Sequence, residues 1–118
     1  MGVSAAIVAA IVAALTDDLR RAPWRGSACP VAGHCYVASE AAFHMLGGRA
    51  AGWTPVSVSV GGAPHWFIRH RDGRVVDPTA AQFSSPPDYA SGRGRGFLTR
   101  QPSRRAAELI RRVEASRV

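Results

Sequence analysis

The pair Asp72-Gly73 stands between two runs of strand-forming residues, His65 to Arg71 and Arg74 to Asp77. Asp-Gly in this setting is the strongest hairpin signal a short sequence carries, because tight turns between twisted strands need positive φ. It commits the middle of the chain to antiparallel pairing, and the rest must pack around that ribbon. Just upstream, Val56, Val58 and Val60 alternate with Ser57 and Ser59. This predicts a further, half-buried strand from Pro55 to Val60, broken by Gly61, Gly62 and Pro64.

Helical spacing flanks the strands on both sides. Val8, Ile11, Val12, Leu15 and Leu19 fall on one face, with Ser4 as the expected N-cap. No positive charge precedes this apolar stretch and no clean cleavage site follows it, so it reads as a core helix, with an uncleaved export signal as the alternative. Arg21 to Gly33, with two prolines and two glycines, reads as a loop. Cys35 to Leu46 reads as a second helix with Ala38, Ala41, Ala42, Met45 and Leu46 as its apolar stripe, stopped by Gly47 and Gly48. Pro78 to Pro102 is turn-rich. Ser103 caps a last helix that turns Ala106, Leu109, Ile110 and Val113 inward and pairs Glu108 with Arg112. At 118 residues the chain makes one α+β domain, residues 1–118, and no apolar run reaches the ~18 residues of a membrane span.

Chemistry is concentrated in three residues. Cys35 opens a helix, where the helix dipole and unpaired backbone N–H groups favour the reactive thiolate. A nucleophile needs a base and a group that orients that base. His65 begins one hairpin strand and Asp77 ends the other, so both lie at the end away from the turn. Whether they meet depends on the loop. A two-residue turn at Asp72-Gly73 pairs Asp77 with Ile68 and points it away from His65. A three-residue loop, Arg71-Asp72-Gly73, pairs His70 with Arg74 and Asp77 with Phe67, and then His65 and Asp77 share a face as diagonal neighbours.

The stretches Gly33-His34-Cys35-Tyr36-Val37-Ala38, His65-Trp66-Phe67-Ile68 and Gly73-Arg74-Val75-Val76-Asp77-Pro78-Thr79 together resemble the core of the transglutaminase-like branch of papain-fold cysteine enzymes. Asp77 to Phe83 is also similar to small papain-fold proteins of bacteria and phages. The resemblance spans Gly33 to Phe83. It implies a papain-like fold, a cysteine-bearing helix packed on a small antiparallel sheet, with Cys35 as nucleophile, His65 as general base and Asp77 as its orienting partner. The implied activity is acyl transfer through a thioester, as peptidase, amidase, deamidase or transglutaminase, on a protein, a peptide or a small amide. No cofactor and no metal is implied. Papain-like proteases usually carry a glutamine a few residues before the cysteine. Here Cys29 stands six residues before Cys35, and the only glutamines are Gln82 and Gln101. The Cys35 N–H supplies one oxyanion donor, and Gln82 or Trp24 are the candidates for a second.

Simpler readings exist for each residue. Cys35 alone would pass as a small buried hydrophobe, His65 as a strand-edge residue and Asp77 as the start of a turn. Cys29 reads as structural, and a Cys29–Cys35 disulfide would block the nucleophile, so a reducing, cytoplasmic location fits better. The net charge is +7, but all fifteen basic residues are arginine and asparagine is absent, a pattern that coding bias toward GC-rich codons also produces. The alternative function is a binding module for nucleic acid or an acidic partner through the last 26 residues, which hold eight Arg and two Glu. The Ser91 to Gly96 run reads as a mobile loop beside the cleft.

Overall fold

A computed structural model of the protein describes residues 3–19, 34–97 and 99–116. The expected loop from Arg21 to Gly33, with Trp24 and Cys29, lies outside the described residues. The elements in chain order are α1 (Val3–Ala14), α2 (Cys35–Met45), β1 (Trp53–Val60), β2 (Ala63–His70), β3 (Val75–Val76), β4 (Arg93–Gly94) and α3 (Arg104–Ser116). The four strands form one antiparallel sheet in the order β3-β2-β1-β4, giving an α+β domain with three helices among the described residues.

Two turns set the register of the sheet. Gly61 and Gly62, at φ 58° and 84°, make a two-residue connection between β1 and β2 that pairs Val60 with Ala63. The strand therefore resumes at Ala63, and Pro64 lies inside it opposite Ser59 instead of breaking it. Proline is tolerated there because β3 pairs only with Ile68 and Arg69, so the outer side of β2 has no partner strand near Pro64. The second connection is the three-residue one. The His70 N–H bonds the Arg74 carbonyl at 2.8 Å, and Ile68 pairs with Val76. Gly73 sits at φ +97° with open space around it, so glycine is needed there for its backbone freedom. Asp72 Oδ1 accepts the Arg74 N–H at 3.0 Å and closes the loop.

Alternation along β1 and β2 sorts side chains between two cores. Trp53 and Ile68 join the larger one with Ile7, Ile11 and Leu19, Val37, Ala38, Ala41 and Ala42 of α2, and Ala106, Leu109 and Val113 of α3. Val56, Val58 and Phe67 form a smaller core on the other side, closed by Val60, Val75 and Tyr89. Both sides of β1 are therefore covered. It starts at Trp53 rather than Pro55, and Ser57 is buried, so the half-exposed strand expected from its alternation is corrected.

Helix α2 lies between the sheet and the other two helices. Seven consecutive residues, Val37 to Phe43, are buried, as expected of a helix enclosed on all sides rather than one with a single apolar stripe. Among them Glu40 is 1% exposed, and its carboxylate accepts the Ser103 N–H and the Ser103 hydroxyl, each at 2.7 Å. Ser103 in turn accepts the Ala106 N–H at 3.2 Å, so it caps α3 while anchored to α2. In α1 the buried positions are Ile7 and Ile11, with Val8 and Leu15 at the margin. The contact face is thus rotated toward Ile7, because α1 must meet α2 and α3 together. Ser4 lies within α1 and is not its cap. No helix among the described residues is long and apolar enough to cross a membrane.

Candidate active site

Cys35 is the first residue of α2, partly exposed, with a free thiol. The helix is fastened to the start of β2 by the Ser39 hydroxyl, which donates to the Trp66 carbonyl at 2.9 Å. This places Cys35 beside His65, near enough for the sulfur to favour the protonated imidazole. The imidazole Nε2–H of His65 donates to Asp77 Oδ2 at 2.7 Å, and both side chains are only 3% exposed. With Nε2 committed to Asp77, Nδ1 is the nitrogen left to face the sulfur. The three-residue hairpin loop is what makes this alignment geometrically available, since it continues the register so that Asp77 falls opposite Phe67 and diagonal to His65.

Asp77 is held by more than the histidine. The Tyr89 hydroxyl donates to Asp77 Oδ2 at 2.8 Å, and the Thr79 N–H reaches Oδ1 at 3.3 Å. The edge of Phe83 meets the His65 ring at 4.7 Å between centroids, and Phe67 lies beneath it at 6.4 Å. Sequence reasoning missed Tyr89 and Phe83. Both come from a turn-rich stretch without periodicity, where the resemblance gives a role to Asp77 alone.

These surroundings decide the charge on His65. Burial works against protonation, but the bond to Asp77 and then the contact with Cys35 outweigh it and raise the imidazole from 6.5 to about 9. The site therefore favours an imidazolium clamped between a carboxylate and a sulfur. For Tyr89, burial and then the Asp77 carboxylate hold the phenol well above its ordinary range, so it remains a donor.

The oxyanion candidates divide. The first intrahelical bond of α2 runs from Ala38 N–H to the His34 carbonyl at 2.9 Å, and His34 makes no side-chain cap. The Cys35 N–H lies ahead of that bond, at the open end of the helix. Gln82 donates instead to the Thr79 hydroxyl at 3.0 Å, in the loop that positions Asp77. It serves that loop rather than the expected oxyanion site. Trp24 lies outside the described residues. Among the described residues no cluster of three or more His, Cys, Asp or Glu side chains could hold a metal ion.

The Ser91 to Gly96 run is not a loose flap. Arg93 and Gly94 form β4 against Ser57 and Val56, and the Arg95 N–H bonds the Pro55 carbonyl at 2.7 Å. The pairing is possible because Gly92 has no side chain: a Cβ there would sit 2.5 Å from Val56 Cγ1 and 2.8 Å from Phe67 Cζ.

No protein-family model matches the chain, and no curated protein or solved structure matches it either. Its function is argued from the site itself.

Proposed function

We propose that this chain is a cysteine-dependent acyl-transfer enzyme with a papain-like, transglutaminase-core-like fold, in which Cys35 is the nucleophile, His65 the general base and acid, and Asp77 the residue that orients His65. The observation that carries this reading is the line of three groups: a thiol at a helix N-terminus, beside an imidazole that is itself bonded to a buried carboxylate. A structural cysteine needs neither a histidine at its sulfur nor a carboxylate behind that histidine.

The chemistry follows from the geometry. With His65 already an imidazolium, Cys35 attacks the carbonyl carbon of an amide as its thiolate, the thiol proton having gone to solvent. The resulting oxyanion faces the start of α2, where the Cys35 N–H and the helix dipole favour negative charge. The imidazolium then gives its proton to the departing amine as the carbon–nitrogen bond breaks, leaving a thioester on Cys35. Water, or an acceptor amine, attacks the thioester while His65 takes its proton, and breaking of the carbon–sulfur bond releases the acyl product and restores the thiolate beside the imidazolium. Throughout, the Nε2–H bond to Asp77 holds the ring in one tautomer and compensates its positive charge.

Alkylation by iodoacetamide at neutral pH tests this without a known substrate. Cys35 should react far faster than an ordinary thiol, and His65→Ala should return it to the ordinary rate. Against any substrate found, Cys35→Ala should lower turnover by roughly 10³-fold or more. An ordinary alkylation rate in the native protein overturns the proposal.

A further inference from the structure

Successive residue pairs of β1 and β2 point to opposite sides of the sheet. Val58 pairs with His65 and Ser57 with Trp66, so Ser57 and Trp66 face away from the imidazole. Ile68, two steps on from Trp66, packs in one core with Val37 and Ala38, so this is the side that carries α2. Beside the start of that helix lies a cavity of about 760 Å³. Tyr36, Pro64 and Trp66 supply apolar wall, and Arg95, Arg104 and Arg105 border it. Phe97 stacks on Trp66 at 5.7 Å and meets Tyr36 edge-on at 5.3 Å, which holds both rings in place. Neither Cys35 nor His65 is part of the lining.

The charge around this cavity is one-sided. Its three arginines come from two separate segments, Arg95 just after β4 and the other two from the first turn of α3. No acidic residue borders it among the described residues. Nor do these arginines enter an ion pair among the described residues, whereas Arg74, Arg111 and Arg112 are all paired. The Glu40 carboxylate is committed to Ser103, at the cap of α3. Arg95 is fixed in advance: its Nε–H donates to the Ser57 hydroxyl at 2.9 Å, and its carbonyl accepts from Arg49 at 2.8 Å.

We infer that this cavity is a ligand site separate from the Cys35 centre, and that its ligand is a small organic phosphate monoester with a flat apolar body. The phosphate lies against Arg95, Arg104 and Arg105, and the body against Tyr36, Pro64 and Trp66. The volume suits one small molecule, since such sites occupy ~300–1,000 Å³ and combine mostly apolar walls with a few placed polar groups. Guanidinium groups match phosphate and carboxylate oxygens through paired N–H donors. A phosphate monoester brings three acceptor oxygens and roughly two negative charges, a better match to three unpaired cations than a single carboxylate. Nucleic acid fits less well, since Arg111 and Arg112, the continuation of the arginine-rich stretch, are already neutralised. The inference stands apart from the acyl-transfer reading, because no residue of that centre takes part in it.

Isothermal titration calorimetry of the full chain with 1-naphthyl phosphate tests this. The probe should bind at least about tenfold more tightly than inorganic phosphate, which lacks the body, and than 1-naphthol, which lacks the charge. It should also outbind 1-naphthoate. Arg104→Gln with Arg105→Gln should weaken the probe by at least about tenfold. Both side chains are exposed and glutamine is a good helix former, so the double variant should fold, which circular dichroism checks. Inorganic phosphate or 1-naphthol binding as tightly as the probe overturns the inference, and these two comparisons need no variant. Tighter binding of 1-naphthoate overturns the choice of phosphate. Unchanged affinity in the folded double variant overturns the site. A single-stranded oligonucleotide that binds through Arg104 and Arg105 while the probe stays unbound overturns it in favour of nucleic acid. An ordinary alkylation rate at Cys35 removes the proposed enzyme and leaves this site standing.

Discussion

At the scale of single residues, the feature that sets this site apart from a chance cluster is the number of bonds converging on Asp77. His65, Tyr89 and the Thr79 N–H all donate to one carboxylate. Tyr89→Phe keeps the ring against Phe67, 4.9 Å away, and removes only the hydroxyl. It should lower stability to urea by ~1.5–3 kcal/mol, the usual worth of a hydrogen bond to a charged group. A wild-type urea curve in this variant would mean that the hydroxyl does not support Asp77. Cys35, His65 and Asp77 could be singled out in the sequence because each stands at the boundary of a recognisable element, whereas the choice between a two- and a three-residue loop, on which the meeting of His65 and Asp77 depends, could not be made there. Tyr89 and Phe83 could not be singled out, because a tyrosine or a phenylalanine in irregular chain takes its role entirely from what folds beside it.

At the scale of elements, two contacts decide how the pieces fit. The first is the passage of the chain at Gly92 over Val56 and Phe67, which leaves no room for a methyl group. Gly92→Ala should destabilise by ~1–3 kcal/mol through overpacking and loosen β4 from the sheet, visible as faster amide exchange at Arg95. The second is the buried Glu40 carboxylate on the cap of α3. Glu40→Ala strands the Ser103 N–H and hydroxyl and should cost about 3 kcal/mol in urea unfolding, with Glu40→Gln costing less. Helices α2 and α3 and the hairpin could be read from periodicity and turn residues. The register of α1 could not, since an alanine-rich helix presents nearly equal faces and its neighbours choose between them. Nor could β4, since two residues of a glycine- and arginine-rich run carry no strand pattern, and the pairing comes from the exposed edge of β1.

At the scale of the whole molecule, the charge on His65 links the site to global stability. Its folded-state value, about 9, lies above the ordinary 6.5, so the native state holds the proton more tightly than the unfolded chain does. The resulting stabilisation is fully present below pH 6.5 and is lost as pH rises through about 9. The urea midpoint should therefore fall across that interval, and His65→Gln should flatten the fall. An unchanged slope in the variant would show that the proton is not held this way.

The loop from Arg71 to Gly73 carries one more consequence. Side chains on a strand switch sides with every step, so removing one codon from this loop would turn the Asp77 carboxylate away from the imidazole without altering the composition of either core. The protein would keep its hydrophobic content and most of its backbone pairing, yet lose the partner of its histidine. Whether this centre exists is thus written in a length, and a comparison of gene variants by percent identity alone would pass over the change that matters.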